Sequence, residues 1–169
     1  MADRYRSKSK PFLRAYIFYK ASRLASGIRA CYRYDSRVRR IVDNLPDGFD
    51  ICVGILGHNH MVVITKTGEE LHCKLVDGYA TGDIYIYFKN MEGATMVLRN
   101  RISYLQAYTQ SRIVLQGDIQ RAMDFVSMLL IAQTYMASPL QRKYYLGQLA
   151  EYEVSPAKIK ARAFFRGWL

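Results

Sequence analysis

At 169 residues the chain has the length of one domain and can bury a substantial core. Half of it is hydrophobic, aromatics make up 13% and tyrosine alone supplies 14 residues, which excludes an intrinsically disordered chain. The formal net charge is +11, and it is concentrated at the two ends. The first forty residues hold twelve Lys and Arg against Asp3 and Asp35. The segment from Pro156 holds Lys158, Lys160, Arg162 and Arg166 with no acid, and the stretch between is mildly acidic. Two cationic ends imply an acidic partner: an anionic membrane surface, a nucleic acid or an acidic protein.

Cys31, Cys52 and Cys73 are odd in number and lack C-x-x-C spacing, so a reduced, cytoplasmic setting is expected, with the thiols as small buried residues. The most apolar run, Phe125 to Ala132, is far shorter than the roughly 20 residues of a transmembrane helix. Lys20 and Arg23 interrupt the run from Pro11 to Ala30, so no secretory signal is expected.

Residues 1–10 read as a loose basic arm. Pro11 suits a helix start, and Phe12, Tyr16, Tyr19, Leu24 and Ile28 recur at roughly helical spacing, predicting a helix that ends near Gly27 or runs on to Tyr34. A second helix is expected from Ser36, an N-cap candidate, to Leu45, before the Pro46-Asp47-Gly48 turn. Three short strands follow: Phe49 to Leu56, His60 to Thr65 and Glu69 to Val76. In the third, Leu71, Cys73 and Leu75 alternate with Glu70, His72 and Lys74, as in a strand with one dry and one wet face. Ile84 to Phe88 reads as a fourth strand that continues an antiparallel meander. Helical spacing resumes from Met91 to Gln110, broken at Arg99-Asn100-Arg101, before a fifth strand at Arg112 to Gln116. Gly117-Asp118 is a turn followed by an N-cap candidate, and a long helix begins at Ile119. From Phe125 this helix is apolar nearly all round and must be covered on every side, by the first helix, the C-terminal segment, a second subunit or a ligand. Ser138-Pro139 ends it. Lys143 to Tyr152 is expected to be helical. Ser155-Pro156 opens a last helix that clusters Ile159, Ala163, Phe164 and Trp168 on one side.

The order strand, broken helix, strand, Gly-Asp, helix over Asp83 to Met136 resembles the second half of the sterol carrier protein 2 (SCP2) family of lipid-binding domains. The match is best from Ser103 to Met123. The resemblance implies an α+β fold in which a mostly antiparallel five-stranded sheet has its helices packed on one face. On that reading residues 11–138 form the SCP2-like domain, and residues 139–169 a C-terminal helical extension packed on or near it. It also implies non-enzymatic binding or transfer of an apolar ligand, such as a sterol or fatty acyl chain, in a cavity between sheet and helices.

Catalysis has no frame in the sequence: no nucleophile elbow, P-loop or G-x-G-x-x-G is present, and no cofactor is expected. His58 and His60 lie two apart, with His72 on a neighbouring strand. A polar hairpin is the commoner meaning of that pattern, and metal sites ordinarily need three or four placed ligands. The cavity lining implied by the resemblance draws on Ile84, Ile86, Phe88, Met91, Met96, Leu98, Leu105, Tyr108, Met123, Phe125, Met128, Leu129 and Met136. Methionine's unbranched side chain suits a pocket for variable aliphatic ligands, although an apolar stripe at helical spacing is ordinarily core. Membrane or anion contact is expected from Arg14, Lys20, Arg23 and Arg29, and from Lys158, Lys160, Arg162, Phe164, Phe165, Arg166 and Trp168. Nucleic acid is the less favoured partner. A subunit or accessory role, a homodimer included, would bury the apolar helix and the Tyr-rich C-terminal segment against another chain.

Overall fold

The computed structural model of the protein describes residues 11–146 and 151–165. The chain opens with helix α1 (Pro11–Tyr34) and turns at once into α2 (Ser36–Asp43). The break is made by Asp35, whose extended backbone stops α1. Its carboxylate accepts from the backbone N–H groups of Arg37 (3.0 Å) and Val38 (3.4 Å), so Asp35, one residue before the expected Ser36, is the N-cap of α2. The C-terminal end of α2 meets a buried cation. Lys66, 9% exposed, donates through Nζ to the carbonyls of Leu45 (2.5 Å) and Asp43 (3.3 Å), placing positive charge where the helix dipole favours it.

Five strands follow: β1 (Asp50–Ile55), β2 (His60–Thr67), β3 (Glu70–Asp77), β4 (Ile84–Phe88) and β5 (Ile113–Gly117). Their spatial order is β3-β2-β1-β4-β5. The meander extends over β1 to β3 only. β4 does not continue it beyond β3 but lies parallel to β1, with Ile51 opposite Ile84 and Ile55 opposite Phe88, and β5 pairs antiparallel with β4. The connection from β3 to β4 crosses the sheet face that carries no helix among the described residues. There it buries Cys52, Met61 and Val63 together with Val76, Ala80, Tyr85 and Tyr87. Gly82 makes the close passage: a Cβ at that position would stand 2.6 Å from Cys52 Sγ. Its N–H donates to Tyr85 Oη (2.9 Å), and the Asp83 carboxylate accepts from Asp50 N–H (2.8 Å), pinning the crossover beside the start of β1.

The other face of the sheet carries the main core. Ile51, Ile64, Ile84, Ile86 and Phe88 point into it at 4% exposure or less. The alternation in β3 is only partly realised. Leu71 is buried and Cys73 half-buried, but Leu75 is 54% exposed, because β3 is an edge strand that the helices cover at one end.

Between β4 and β5 the helical stretch divides into α3 (Met91–Leu98) and α4 (Tyr104–Thr109). Asn100 sits in the left-handed region (φ 55°), and Ser103 forms a capping box with Gln106. Gln133, 1% exposed, stitches the break to the core. Its Nε2 donates to the carbonyls of Val97 (3.1 Å) and Ile102 (3.0 Å), and its Oε1 accepts from Tyr104 N–H (3.3 Å). Gly117 (φ 101°) and the N-cap Asp118 then lead into α5 (Ile119–Met136). A Cβ on Gly117 would meet the Asp83 carbonyl at 2.4 Å, so the turn needs glycine.

The all-round apolar character of α5 is accounted for within the chain. Helices α1, α2 and α4, strands β4 and β5, and the C-terminal helix α7 (Pro156–Phe165) all pack on it. After α5 comes one helical turn, α6 (Pro139–Gln141), and a π-turn from Arg142 to Leu146. The helix expected over Lys143 to Tyr152 is thus a π-turn at its start and irregular at residues 151–152, with residues 147–150 outside those described. The returning segment is fastened by Tyr135, whose hydroxyl donates to Asp35 Oδ2 (2.8 Å) and accepts from Glu153 N–H (3.0 Å) and Val154 N–H (3.4 Å). The Glu153 carboxylate closes the ring by accepting from Ser36 N–H (2.7 Å) and Oγ–H (2.9 Å). Helix α7 then lies along α1.

Candidate functional site: an apolar chamber beneath the first helix

Three strands of the sheet and four helices leave space between them. The floor is Val53 and Ile55 of β1 with Val62 and Ile64 of β2, and the roof is Leu24, Ala25 and Ile28 of α1. Met91, Ala94 and Leu98 of α3 form one side, and Phe88, Tyr104 and Leu129 close the back. The resulting cavity has a volume of about 70 Å³. A single water needs only ~10–15 Å³ on that measure, so the space exceeds an ordinary packing defect. The lining is aliphatic and aromatic apart from His58 and His60 at the β1–β2 end. His60 Nδ1 pairs with the Asp77 carboxylate across the β2–β3 ladder. Burial pushes the Tyr104 phenol well above its ordinary range, so it stays neutral in this wall. Such a space can take an aliphatic or alicyclic group.

Of the residues expected to line a cavity, Phe88, Met91, Leu98 and Leu129 do so. Ile84, Ile86, Phe125 and Met128 are at most 2% exposed in the packed core. Met96 packs on its margin, while Leu105 is 46% exposed, and Tyr108 and Met123 are half-buried away from the chamber. Met136 lines a separate neighbouring void of similar volume. Most of the methionine stripe thus packs outside the chamber. Sequence reasoning missed the roof and the floor. Their signals were the i, i+4 pair Leu24 and Ile28 on α1, and the alternation of Val53 and Ile55 with Val62 and Ile64.

The expected surface residues divide in the same way. Phe164 (57% exposed) and Phe165 (76% exposed) stand out from α7, and Arg23 of α1 stacks over the Phe164 ring at 4.9 Å while donating to the Ala163 carbonyl (3.2 Å). Lys20 and Arg162 are half-buried, and Lys158 lies over the Tyr34 ring at 4.3 Å. Lys160 is committed to the Ala137 carbonyl at the end of α5 (2.9 Å). Arg29 is on another side of α1, where it shares a polar groove with Arg33, Glu69, Glu70 and His72. The Arg14 side chain, Arg166 and Trp168 lie outside the described residues. Among the described residues no three His, Cys, Asp or Glu side chains converge as metal ligands, and no helix is long and apolar enough to cross a membrane.

No family model matches the chain, and no curated protein does. Solved structures do. One, described as a UbiJ-SCP2 ubiquinone synthesis protein, is 16% identical, with 78% of this chain and 99% of that chain covered and a TM-score of 0.44. A crystal structure of sterol carrier protein 2 is 16% identical over 63% of this chain and 92% of that one, with a TM-score of 0.45. The sterol carrier protein domain 2 of Helicoverpa armigera is 17% identical over 73% and 90%, with a TM-score of 0.43. These are similarities only, and no residue's role is carried over from them.

Proposed function

We propose that this protein binds an apolar ligand, an aliphatic chain or a sterol-like ring edge, in the chamber between α1 and the sheet, without chemical conversion. The observation that carries the reading is the chamber itself: about 70 Å³ of space walled by aliphatic side chains from five separate elements. Burial of each ligand methylene in such walls is worth about 0.8 kcal/mol, before the cost of immobilising the ligand. The chain delivers or collects its ligand at an anionic membrane, touching it through Phe164 and Phe165 with the cations of α1 and α7 around them. Exposed aromatics beside Lys and Arg suit the headgroup boundary, where each cation contributes about 1 kcal/mol.

The test is displacement of the uncharged fluorophore N-phenyl-1-naphthylamine. Saturable binding that hexadecanol or cholesterol reverses supports the proposal. No binding, or binding that survives filling of the chamber by substitution, removes it.

A further inference from the structure

Strand β3 has β2 on one side, and among the described residues no strand lies on the other. Alternate residues of an antiparallel strand turn their backbone groups toward alternate sides. Gly78 N–H, at the end of β3, donates to the Asn59 carbonyl at the start of β2 (2.6 Å), so the even-numbered residues face β2. The N–H and C=O groups of Leu71, Cys73, Leu75 and Asp77 therefore turn outward. This edge is not open along its whole length. Leu71 is buried beneath α1, in the groove that Arg29, Tyr32 and Arg33 line. From Cys73 onward the edge opens: Cys73 is half-buried, and Leu75 and Asp77 are exposed. An exposed leucine flanked by outward backbone groups is a template for another strand, and edge strands ordinarily place a charge there.

The charges along this row complement each other end to end. Burial raises the Cys73 thiol while the Arg29 cation acts against that rise, which places Arg29 beside Cys73. Asp77 carries the opposite charge at the far end of the open stretch. A copy of the strand laid antiparallel brings those two ends together.

We infer that two copies of this chain pair through the Cys73–Asp77 edges of β3, antiparallel about a twofold axis at Leu75, to make one continuous sheet. Leu75 then stands opposite Leu75 of the second copy, and Cys73 opposite Asp77 of the second copy. All three turn their backbone outward, so each opposing pair exchanges two hydrogen bonds. Directly opposed side chains share a face, so Arg29 meets Asp77 of the second copy, and symmetry repeats that ion pair. On the other face Lys74 lays its stem over Val76 of the second copy. Burial selects the register: an axis at Cys73 would run the second strand against the covered edge at Leu71. The contact spans only Cys73 to Asp77 on each copy, so the dimer is transient, with a Kd of about 100 µM. The pairing is independent of what the chamber holds.

Sedimentation velocity of the full chain, from about 10 µM to about 1 mM, tests it. The variants are Leu75→Lys, Arg29→Glu and Asp77→Lys, with urea midpoints as the folding control. The wild type should show a monomer–dimer equilibrium, and each variant should weaken it by about tenfold or more, because a charge enters the leucine pair or like charges face each other. An equimolar mixture of Arg29→Glu and Asp77→Lys should recover the wild-type association as a heterodimer, since both ion pairs are then restored with opposite signs. A wild type that stays monomeric throughout, or a dimer that survives Leu75→Lys, overturns the inference. So does a mixture that associates no better than its components. A dimer that Phe164→Ser dissociates and Leu75→Lys does not belongs to α7, and it overturns the inference too. Should either charge variant fail to fold, Leu75→Lys decides alone, because Leu75 is exposed and its substitution leaves the monomer intact.

Discussion

Substituting Ala94 by Leu asks whether the space beneath α1 is hollow. Ala94 is on α3, fully buried, and part of the chamber wall. Leucine adds three carbons at that point. If they enter free space, each gains about 0.8 kcal/mol of burial, roughly 2 kcal/mol in all. Ordering the longer side chain returns about 0.5–1 kcal/mol of that. The net expectation is a stabilisation of about 1–2 kcal/mol, within the usual range for cavity filling, and leucine does not disfavour the helix. In a solidly packed core the same change would strain its neighbours and cost about 1–3 kcal/mol. The two cases differ in sign, so urea denaturation followed by tryptophan fluorescence or circular dichroism separates them. The variant should also lose N-phenyl-1-naphthylamine binding. A destabilised Ala94→Leu protein, or a stabilised one that still binds the probe unchanged, would refute the reasoning.

Tyr135→Phe removes a hydroxyl that serves the buried Asp35 and two backbone N–H groups, so it should cost about 1.5–3 kcal/mol in urea denaturation and increase proteolysis of the segment around Glu153. Burial alone would raise the Asp35 carboxyl, but hydrogen bonds from Arg37 and Tyr135 and the Arg37 charge outweigh it and hold it below the ordinary carboxylate range. A depressed folded-state value gives stability that is present above the unfolded carboxyl's range, about pH 4, and lost as pH falls through the folded value. The pH dependence of stability below about pH 4 should therefore flatten in Asp35→Asn. Burial pushes the Cys31 thiol up to about 12 and the Cys52 and Cys73 thiols up to about 11. Ellman's reagent at pH 8 should consequently label the native protein far more slowly than the urea-unfolded chain. Replacing both Phe164 and Phe165 by Ser should weaken flotation with phosphatidylserine vesicles while leaving urea stability within about 0.5 kcal/mol, since both rings are largely exposed.

Local patterns in the sequence were enough to locate β4, because Ile84 to Phe88 alternates strictly and its inward and outward rows both pack. They were enough for the start of α5 too, where Gly117 must adopt a positive φ and Asp118 caps the helix. The position of β4 beside β1 was not legible. It depends on a crossover held by Gly82 against Cys52 and by Asp83 against Asp50, contacts between residues about thirty apart in the chain. The position of the hollow beneath α1 was hidden for a related reason. Composition drew attention to the methionines of α3 and α5, yet a hollow exists only where elements distant in sequence fail to meet. α1 spans the sheet above Val53 and Val62, and the small Ala25 and Ala94 leave the space open there. The fastening of the C-terminal segment by Tyr135 was likewise hidden, since nothing around Tyr135 in sequence reveals that Asp35 and Glu153 meet it.

The most direct measurement is isotope-filtered NMR of the methyl-labelled protein with carbon-13 palmitate. The account predicts cross-peaks from the chain methylenes to methyl groups of Leu24, Val53, Val62 and Leu129. Cross-peaks confined to Val63 and Val76 on the opposite sheet face, or none at saturating palmitate, would contradict it.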